Sequence, residues 1–469
     1  MAAVSCSGCL ERDNLIATLK RRVAELEATV RDLTVRLGTN ATNSGTPPSA
    51  NPPGAPKPVT KKITGKKPGG QPGHPARLRR RLPPERLHKV ITFVPNHCDH
   101  CHETLPPHPG PNDPEPSWHQ VAELPKMAAL VTEYQGHYRT CPCCGRLNHA
   151  PIPQDIKATG IGPRLAATLG YLAGSHRVSS RGLEEITEDV FDVPIALGTV
   201  ANVRAEVSDA LAPAHAEALQ SVRDAAVKNV DETSWKLAGK LCWLWVAATG
   251  SVAAFLIHAK RSAEALAALL GEKVKGFVCS DRWSAYARLS PFCRQICWAH
   301  LKRDFQRLVD RGGVAGGLGR KLQALAEHVF EEWYLFRGGG CTRPQLQIRL
   351  DSTARALERM LKAGRRCTDR KVATFCANVL DLLPAVWRFV VSEGVEPTNN
   401  HAERMLRRGV LWRKNAFGCQ CEAGCRFVER MLTVVQTRRL QGRSVLGYLY
   451  EALVAHRKSF PAPPLLATR

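Results

Sequence analysis

The chain has 469 residues, with 66 Lys and Arg against 42 Asp and Glu and a formal net charge of +24 at pH 7. Length alone implies about three domains with room for a real core, and the charge implies a polyanionic partner, most commonly a phosphate backbone. With no run of about 18 apolar residues, no basic amphipathic anchor and no apolar core in the N-terminal MAAVSCSGCLERDN, neither a membrane partner nor export is expected.

Residues 1–38 read as a helix whose apolar positions follow an unbroken 3-4 spacing. Ile16, Val23, Val30 and Leu37 fall at a, and Leu19, Leu26 and Leu33 at d. β-branched a with Leu d favours a parallel coiled-coil dimer, so self-association through 16–37 is expected; the plainer alternative is a helix packed on its own protein. Residues 39–89 hold eleven prolines amid Ser, Thr, Gly and Lys, and residues 57–89 hold eleven Lys or Arg and one acid, Glu85. Such a segment buries no core and reads as a disordered basic linker that tracks phosphates.

From 90 to 150 the pattern turns strand-like around two knuckles, Cys98-x2-Cys101 and Cys141-x2-Cys144. Zn²⁺ takes four tetrahedral ligands and each knuckle offers two, so a small structural zinc module is expected, with Cys143 as a bystander and His97, His100 or His102 able to substitute for a thiolate. The 17 cysteines are scattered and odd in number, which also favours reduced thiols and metal sites over a disulfide framework. Residues 151–222 are helical, and RGLEEITEDVFDVPIALGTVANVRAEV breaks at Asp192 and Pro194. This is either a helix-turn-helix presenting Thr199, Asn202 and Arg204 to a DNA groove or a plain helical hairpin.

Strands begin at 223. AVKNVDE, LCWLWVAAT and VAAFLIHA read as a meander, SAEALAALLGE as a helix capped by Ser262, and KGFVCSD as a further buried strand. That order over 223–303 is the order of a ribonuclease-H-like α/β fold. A helical insertion over 304–395 with a glycine-rich break (GGVAGGLG) follows, then the last part of the core at 396–440 and a C-terminal helix and tail at 441–469.

Three carboxylates stand out: Asp231 in VKNVDETSW, Asp281 in FVCSDRWSAY and Glu403 in EPTNNHAERMLRR. A buried acid without a partner is costly, so acids at strand ends and helix starts usually hold a cation or move protons. Three that converge suit two Mg²⁺ or Mn²⁺ ions, which clamp the attacking and leaving oxygens of a phosphodiester. Taken on its own helix, Glu403 among Arg404, Arg407, Arg408, Arg413 and Lys414 reads equally as a salt-bridge partner.

VDETSWKLAGKLCWLWV, SDRWSAY, CWAHLKRDF, EPTNNHAERMLRR and RKNAFG, in that order, resemble the transposases of the insertion-sequence-66 family. The N-terminal helix, the PPS linker, KKPGGQPGH and the two knuckles resemble it too, so the likeness covers nearly the whole chain. It implies a DDE-type transposase with Asp231, Asp281 and Glu403 as its acidic triad and Cys98, Cys101, Cys141 and Cys144 as zinc ligands. The implied activity is binding the terminal inverted repeats of a bacterial mobile element, cutting them and transferring the strands to target DNA. The expected place is the cytoplasm, on the nucleoid, with small accessory proteins of the same element as further partners. Arg404, Arg407, Arg408, Arg413 and Lys414 are then expected to grip DNA, and Thr398 or Asn399, with Asn400, to cap and orient the Glu403 helix. His300 either touches a phosphate or water or is a hydrogen-bonded helix-start residue. Trp283 and Tyr286 border the site, while Trp235, Trp243, Trp245 and Trp298 read as core. Cys419-x-Cys421-x3-Cys425 departs from the family pattern and is not read as a second metal site. The rival readings are a non-catalytic DNA-binding regulator derived from a transposase and a nuclease without strand transfer.

Overall fold

A computed structural model describes residues 7–38, 81–157 and 160–466. The basic linker therefore lies outside the described residues up to position 80. Helix α1 (Ser7–Gly38) runs unbroken through the heptads, and Ile16, Leu19, Val23, Leu26 and Val30 are all exposed along it. The side chains of Leu33 and Leu37 lie outside the described residues.

Among the described residues, 81–129 form one compact unit and the others a second. In the first, the strand-like run after 90 makes only an isolated bridge between His97 and Thr104. Val90, Ile91 and Phe93 stay exposed, and a single strand without a ladder has no stability of its own. That bridge frames a tight turn. Cys98 N–H donates to Glu103 O and His102 N–H to Cys98 O, both at 2.9 Å, with His102 left-handed at φ 60°.

In the larger unit the same turn recurs between β1 (Tyr138–Thr140) and β2 (Leu147–His149), an antiparallel hairpin. Cys141 N–H donates to Arg146 O at 2.8 Å and Gly145 N–H to Cys141 O at 2.9 Å, with Gly145 at φ 68°. After the short α2 (Gln154–Lys157) come α3 (Pro163–Ser175), α4 (Ser180–Phe191), α5 (Leu197–Ala210) and α6 (Ala212–Asp224). Ser179 caps α4 by accepting from Gly182 N–H at 3.0 Å, and left-handed Asp192 ends it, a conformation Asp tolerates.

The sheet has five strands. β3 (Val227–Leu237), β4 (Lys240–Ala248) and β5 (Ala253–His258) meander antiparallel. Helix α7 (Ala263–Leu270) crosses to β6 (Phe277–Ser280), which runs parallel to β3, and β7 (Arg294–Ile296) runs parallel to β6. The order is β5-β4-β3-β6-β7. Ser262 precedes α7 but makes no capping bond, and its buried hydroxyl has no partner.

Between β7 and the last helices lie α8 (Trp298–Asp310), α9 (Gly313–Arg337), α10 (Arg343–Arg365), α11 (Arg370–Leu380) and the short α12 (Leu383–Val386) and α13 (Arg388–Val391). The expected glycine break is instead the first turns of α9. A Cβ on Gly319 would meet Val309 N at 2.6 Å and Phe305 O at 2.9 Å, so glycine there lets α9 pack directly on the α8 backbone. Helices α14 (Asn400–Ala416), α15 (Glu422–Leu440) and α16 (Val445–Arg457) complete the unit.

Helix α15 covers the edge of β5. Thr437, Thr433 and Glu429 accept from the N–H groups of Ala253, Phe255 and Ile257 at 3.1, 3.1 and 2.5 Å. Four helical residues advance about 6 Å and two strand residues about 6.6 Å, so each helical step meets the next free donor. The open edge is thereby removed as a template for further strands.

Two apolar cores flank this frame. One joins α3–α7, α15, α16 and the sheet through residues such as Val203, Val230, Trp245, Leu266 and Val428. The other joins α8–α13 to β6 and β7 through Cys279, Ile296, Trp298, Val329, Leu357 and Phe389. The helices of 160–222 are thus packed into the sheet's own core. Among the described residues no helix is long and apolar enough to cross a membrane.

Candidate active site

Strands β3 and β6 pair in parallel with Asn229 opposite Cys279. Two residues beyond that last paired position stand Asp231, midway along β3, and Asp281, just past the end of β6, so the same register sets both acids on neighbouring strands about 4.8 Å apart. Alternation along β3 puts Asn229 and Asp231 on one face and Lys228, Val230 and Glu232 on the other.

The third acid arrives on α14, held by a buried asparagine. Asn399 donates its side-chain N–H to Val230 O at 2.7 Å and accepts from Asn229 Nδ2 at 3.1 Å, while its backbone N–H donates to Cys297 Sγ at 3.2 Å. Trp298 N–H donates to Pro397 O at 2.8 Å, tying the starts of α8 and α14 together. Asn399 sits at the N-cap, yet its side chain makes no capping bond: the amide is engaged by β3 instead. Glu403 follows one turn in, and Asn400 is exposed.

Electrostatics link the three acids. Burial, and then the negative charges of Glu232, Asp281 and Glu403, raise the Asp231 carboxyl well above the usual carboxylate range. Burial also raises Glu403, against which the Arg303 guanidinium at 3.5 Å pulls, while Asp281 adds to the rise. Asp281 accepts from Trp283 N–H at 2.9 Å and lies 4.0 Å from Arg261. Carboxylates that repel one another in this way are a hard, all-oxygen donor set of the kind Mg²⁺ and Mn²⁺ take.

A second layer on the opposite face of β3 holds the Asp281 corner. Arg261 lies between the rings of Trp243 and Trp283, at 4.8 and 3.9 Å, and donates to Glu232 at 2.7 Å. The Tyr286 hydroxyl donates to the same carboxylate. Buried Arg294 donates to Ser280 Oγ at 3.1 Å, Tyr286 O at 3.2 Å and Asp281 O at 2.5 Å. Burial lowers the Arg294 guanidinium to about 10, so it remains a cation at neutral pH. Glu232, Arg261, Arg294 and Arg303 escaped the sequence reading. The signal for Glu232 was its adjacency to Asp231, which strand alternation turns into a second acid on the other face.

His300 begins α8 beside Glu403, with Nδ1 3.7 Å from Glu403 Oε1. Burial, and then Arg303, push its imidazole down to about 4; it is neutral near pH 7 and forms no ion pair there. Beyond it an open cleft lined by Lys302, Arg303, Gln306, Gln323, Thr398 and Asn400 borders the start of α14.

The cationic residues divide. Arg404, Arg407 and Lys414 are exposed on α14. Arg413 instead donates to Thr233 Oγ1 at 3.1 Å and Ser234 O at 2.5 Å, fastening α14 to β3. Arg408 is half-buried, its guanidinium lowered by burial and by Arg439 and Arg177. On α5, Asn202 is exposed and Thr199 half-buried. Arg204 stacks 4.9 Å over Phe427 and reaches Ser180 Oγ at 3.5 Å, on the face α5 turns toward α15. Trp235, Trp245 and Trp298 are buried as core, and Trp283 is exposed at the rim.

Fold and site together define a mixed α/β protein with an acidic centre set beside a cationic helix. The model of the Transposase IS66 family matches residues 159–426, and the chain belongs to that family. A family of unknown function, DUF6444, matches residues 8–80. The uncharacterized protein y4qI of Sinorhizobium fredii (strain NBRC 101917 / NGR234) is 25% identical over 247 residues, covering 48% of this chain and 46% of that protein. The chain thus spans about half the length of that curated relative.

Proposed function

We propose that the sheet is a ribonuclease-H-like core and that the chain is a DDE-type transposase. In this reading it binds the terminal inverted repeats of its element, cuts them and joins the freed ends to target DNA. What supports the reading is that the negative charges of Asp281 and Glu403, from two other elements, act on the Asp231 carboxyl, and that of Asp281 acts on Glu403. They would hold the divalent ions, which when bound supply Lewis-acid activation of attacking and leaving oxygens.

The protein's own part is positioning. Asn399 sets Glu403 against β3, Arg294 fixes the backbone at Asp281, and Arg303 is placed to meet a phosphate. Exposed Arg404, Arg407 and Lys414 would neutralise the DNA backbone beside the acids, a contact that orients without reading sequence. Hydrolysis at an element end leaves a 3′-OH, and in-line attack of that hydroxyl on a target phosphodiester completes the transfer with no covalent protein intermediate.

The two matching turns at Cys98 and Cys141 support the zinc reading. Backbone N–H groups around each knuckle, and its second cysteine, hold the first thiol below its ordinary value, which favours the thiolate a metal needs. Freshly purified protein should carry about one Zn²⁺ bound by Cys98, Cys101, Cys141 and Cys144; metal analysis finding none would remove this site. Further parts of the reading are DNA as partner, accessory proteins of the element, and a place in the cytoplasm on the nucleoid.

Asp231→Asn, Asp281→Asn and Glu403→Gln should each abolish Mg²⁺-dependent cleavage of element-end DNA, by at least about 10³-fold, while leaving end binding within about twofold, because amides keep shape but remove charge. Substantial cleavage by any one of them would take that residue out of the triad.

A further inference from the structure

Glu403 has a second set of neighbours that the acidic triad does not use. Cys297 is the N-cap of α8, His300 lies in its first turn, and Glu403 lies in the first turn of α14. One ligand atom from each, Cys Sγ, a ring nitrogen and a carboxylate oxygen, lies within 4.8 Å of the other two. Two observations mark this as more than proximity. His300 Nδ1 is buried without a hydrogen-bond partner, although it sits 3.7 Å from Glu403 Oε1. Cys297 is buried at the floor of the group and accepts from Asn399 N–H at 3.2 Å, an outer bond of the kind that orients thiolate ligands.

The donor chemistry differs from that of the triad. A sulfur, an imidazole nitrogen and one carboxylate form a soft-to-borderline set, which selects Zn²⁺ and its neighbours over Mg²⁺. Tetrahedral zinc with ligands at about 2.0–2.3 Å places donor atoms roughly 3.3–3.8 Å apart. The His300–Glu403 separation already falls there, and Cys297 needs only a small closure. Three protein ligands leave the fourth position open, and the Glu403 side of the group is partly exposed.

We propose that Cys297, His300 and Glu403 form a binding site for a thiophilic divalent ion such as Zn²⁺, and that its occupancy blocks Mg²⁺-dependent DNA cleavage by withdrawing Glu403. The binding stands on the three residues alone; the block rests on the reading of Glu403 as a member of the catalytic triad.

Co²⁺ is the probe for binding, because thiolate ligation gives it a charge-transfer absorption. Titrated into the full-length protein carrying only one tightly held Zn²⁺, with weaker zinc first stripped by mild chelation, Co²⁺ should develop one equivalent of that absorption. It should be missing in Cys297→Ser and appear with about tenfold weaker affinity in His300→Gln. His300→Gln keeps Cys297 and its packing, so it guards against a folding defect in the serine variant. Identical spectra and stoichiometry in all three proteins would overturn the site. In parallel, added Zn²⁺ should remove a larger fraction of Mg²⁺-dependent cleavage in the wild type than in Cys297→Ser. If the cobalt signal depends on Cys297 while zinc leaves cleavage untouched, the site stands and the sharing of Glu403 falls.

Discussion

The side-chain N–H of Asn399 donates to the carbonyl of Val230 at 2.7 Å, one residue ahead of Asp231. One buried amide thus sets the distance between the strand bearing the first acid and the helix bearing the third. Asn399→Ala should lower Mg²⁺-dependent cleavage about 10–100-fold and raise the Mg²⁺ concentration needed for half-maximal rate. It should also destabilise the fold by about 1–3 kcal/mol through the orphaned carbonyl. A loss of stability with an unchanged Mg²⁺ requirement would make Asn399 a packing residue only.

Repulsion among the acids should be visible as instability when no metal is present. Because the folded state raises the Asp231 carboxyl, the folded protein holds a proton that the unfolded chain has released. Stability therefore falls as pH rises from the ordinary carboxylate range through the raised value. In chelator at neutral pH, Asp231→Asn should be more stable than the wild type. Mg²⁺ should raise the wild-type Tm and leave that of Asp231→Asn nearly unchanged. A variant that melts lower in chelator would contradict the repulsion.

Lys228 offers a second pH test away from the acids. It is fully buried on β3, donates to Arg223 O at 2.8 Å and Lys275 O at 2.9 Å, and burial lowers its ammonium to about 8 from 10.5. Between those two values the unfolded chain carries a proton that the folded protein lacks, so stability rises with pH across that window. Lys228→Met should remove this rise when urea melts of the two proteins are compared over pH 8–10.5. Parallel curves would show that Lys228 does not titrate there.

For α1, the exposure of Ile16, Leu19, Val23, Leu26 and Val30 points to a partner helix, and a second copy of α1 satisfies the heptad pattern. Leu26→Pro should interrupt the helix and leave single-end DNA binding within about twofold. It should lower paired-end complexes and strand transfer at least about tenfold, because two tethered ends depend on a weak contact for their effective concentration. Equal pairing by a chain lacking residues 1–37 would assign α1 another role.

The sequence by itself determined what local chemistry determines. The 3-4 apolar spacing marked α1, the CxxC pairs marked two turns of identical hydrogen bonding, and alternating apolar runs marked the meander, its crossover helix and the strand ending at Asp281. Asp231, Asp281 and Glu403 stood out because each acid sits at the end of an apolar run or at a helix start, and their joint role is the proposal that the mutants above test. What the tertiary structure decided is which neighbour claims each polar group. Asn399 was legible as a cap and serves β3 instead; Arg204 and Arg413 were legible as free cations and are taken up by Phe427 and by Thr233 and Ser234; the GGVAGGLG run opens a helix, and its Gly319 lets α8 approach too closely for a Cβ. Glu232, Arg261, Arg294 and Arg303 acquire meaning only across strands and helices far apart in sequence. A side chain's intrinsic preferences are written in its type, but its hydrogen-bond partner is settled by which buried group would otherwise go unsatisfied, and that is known only when distant segments meet.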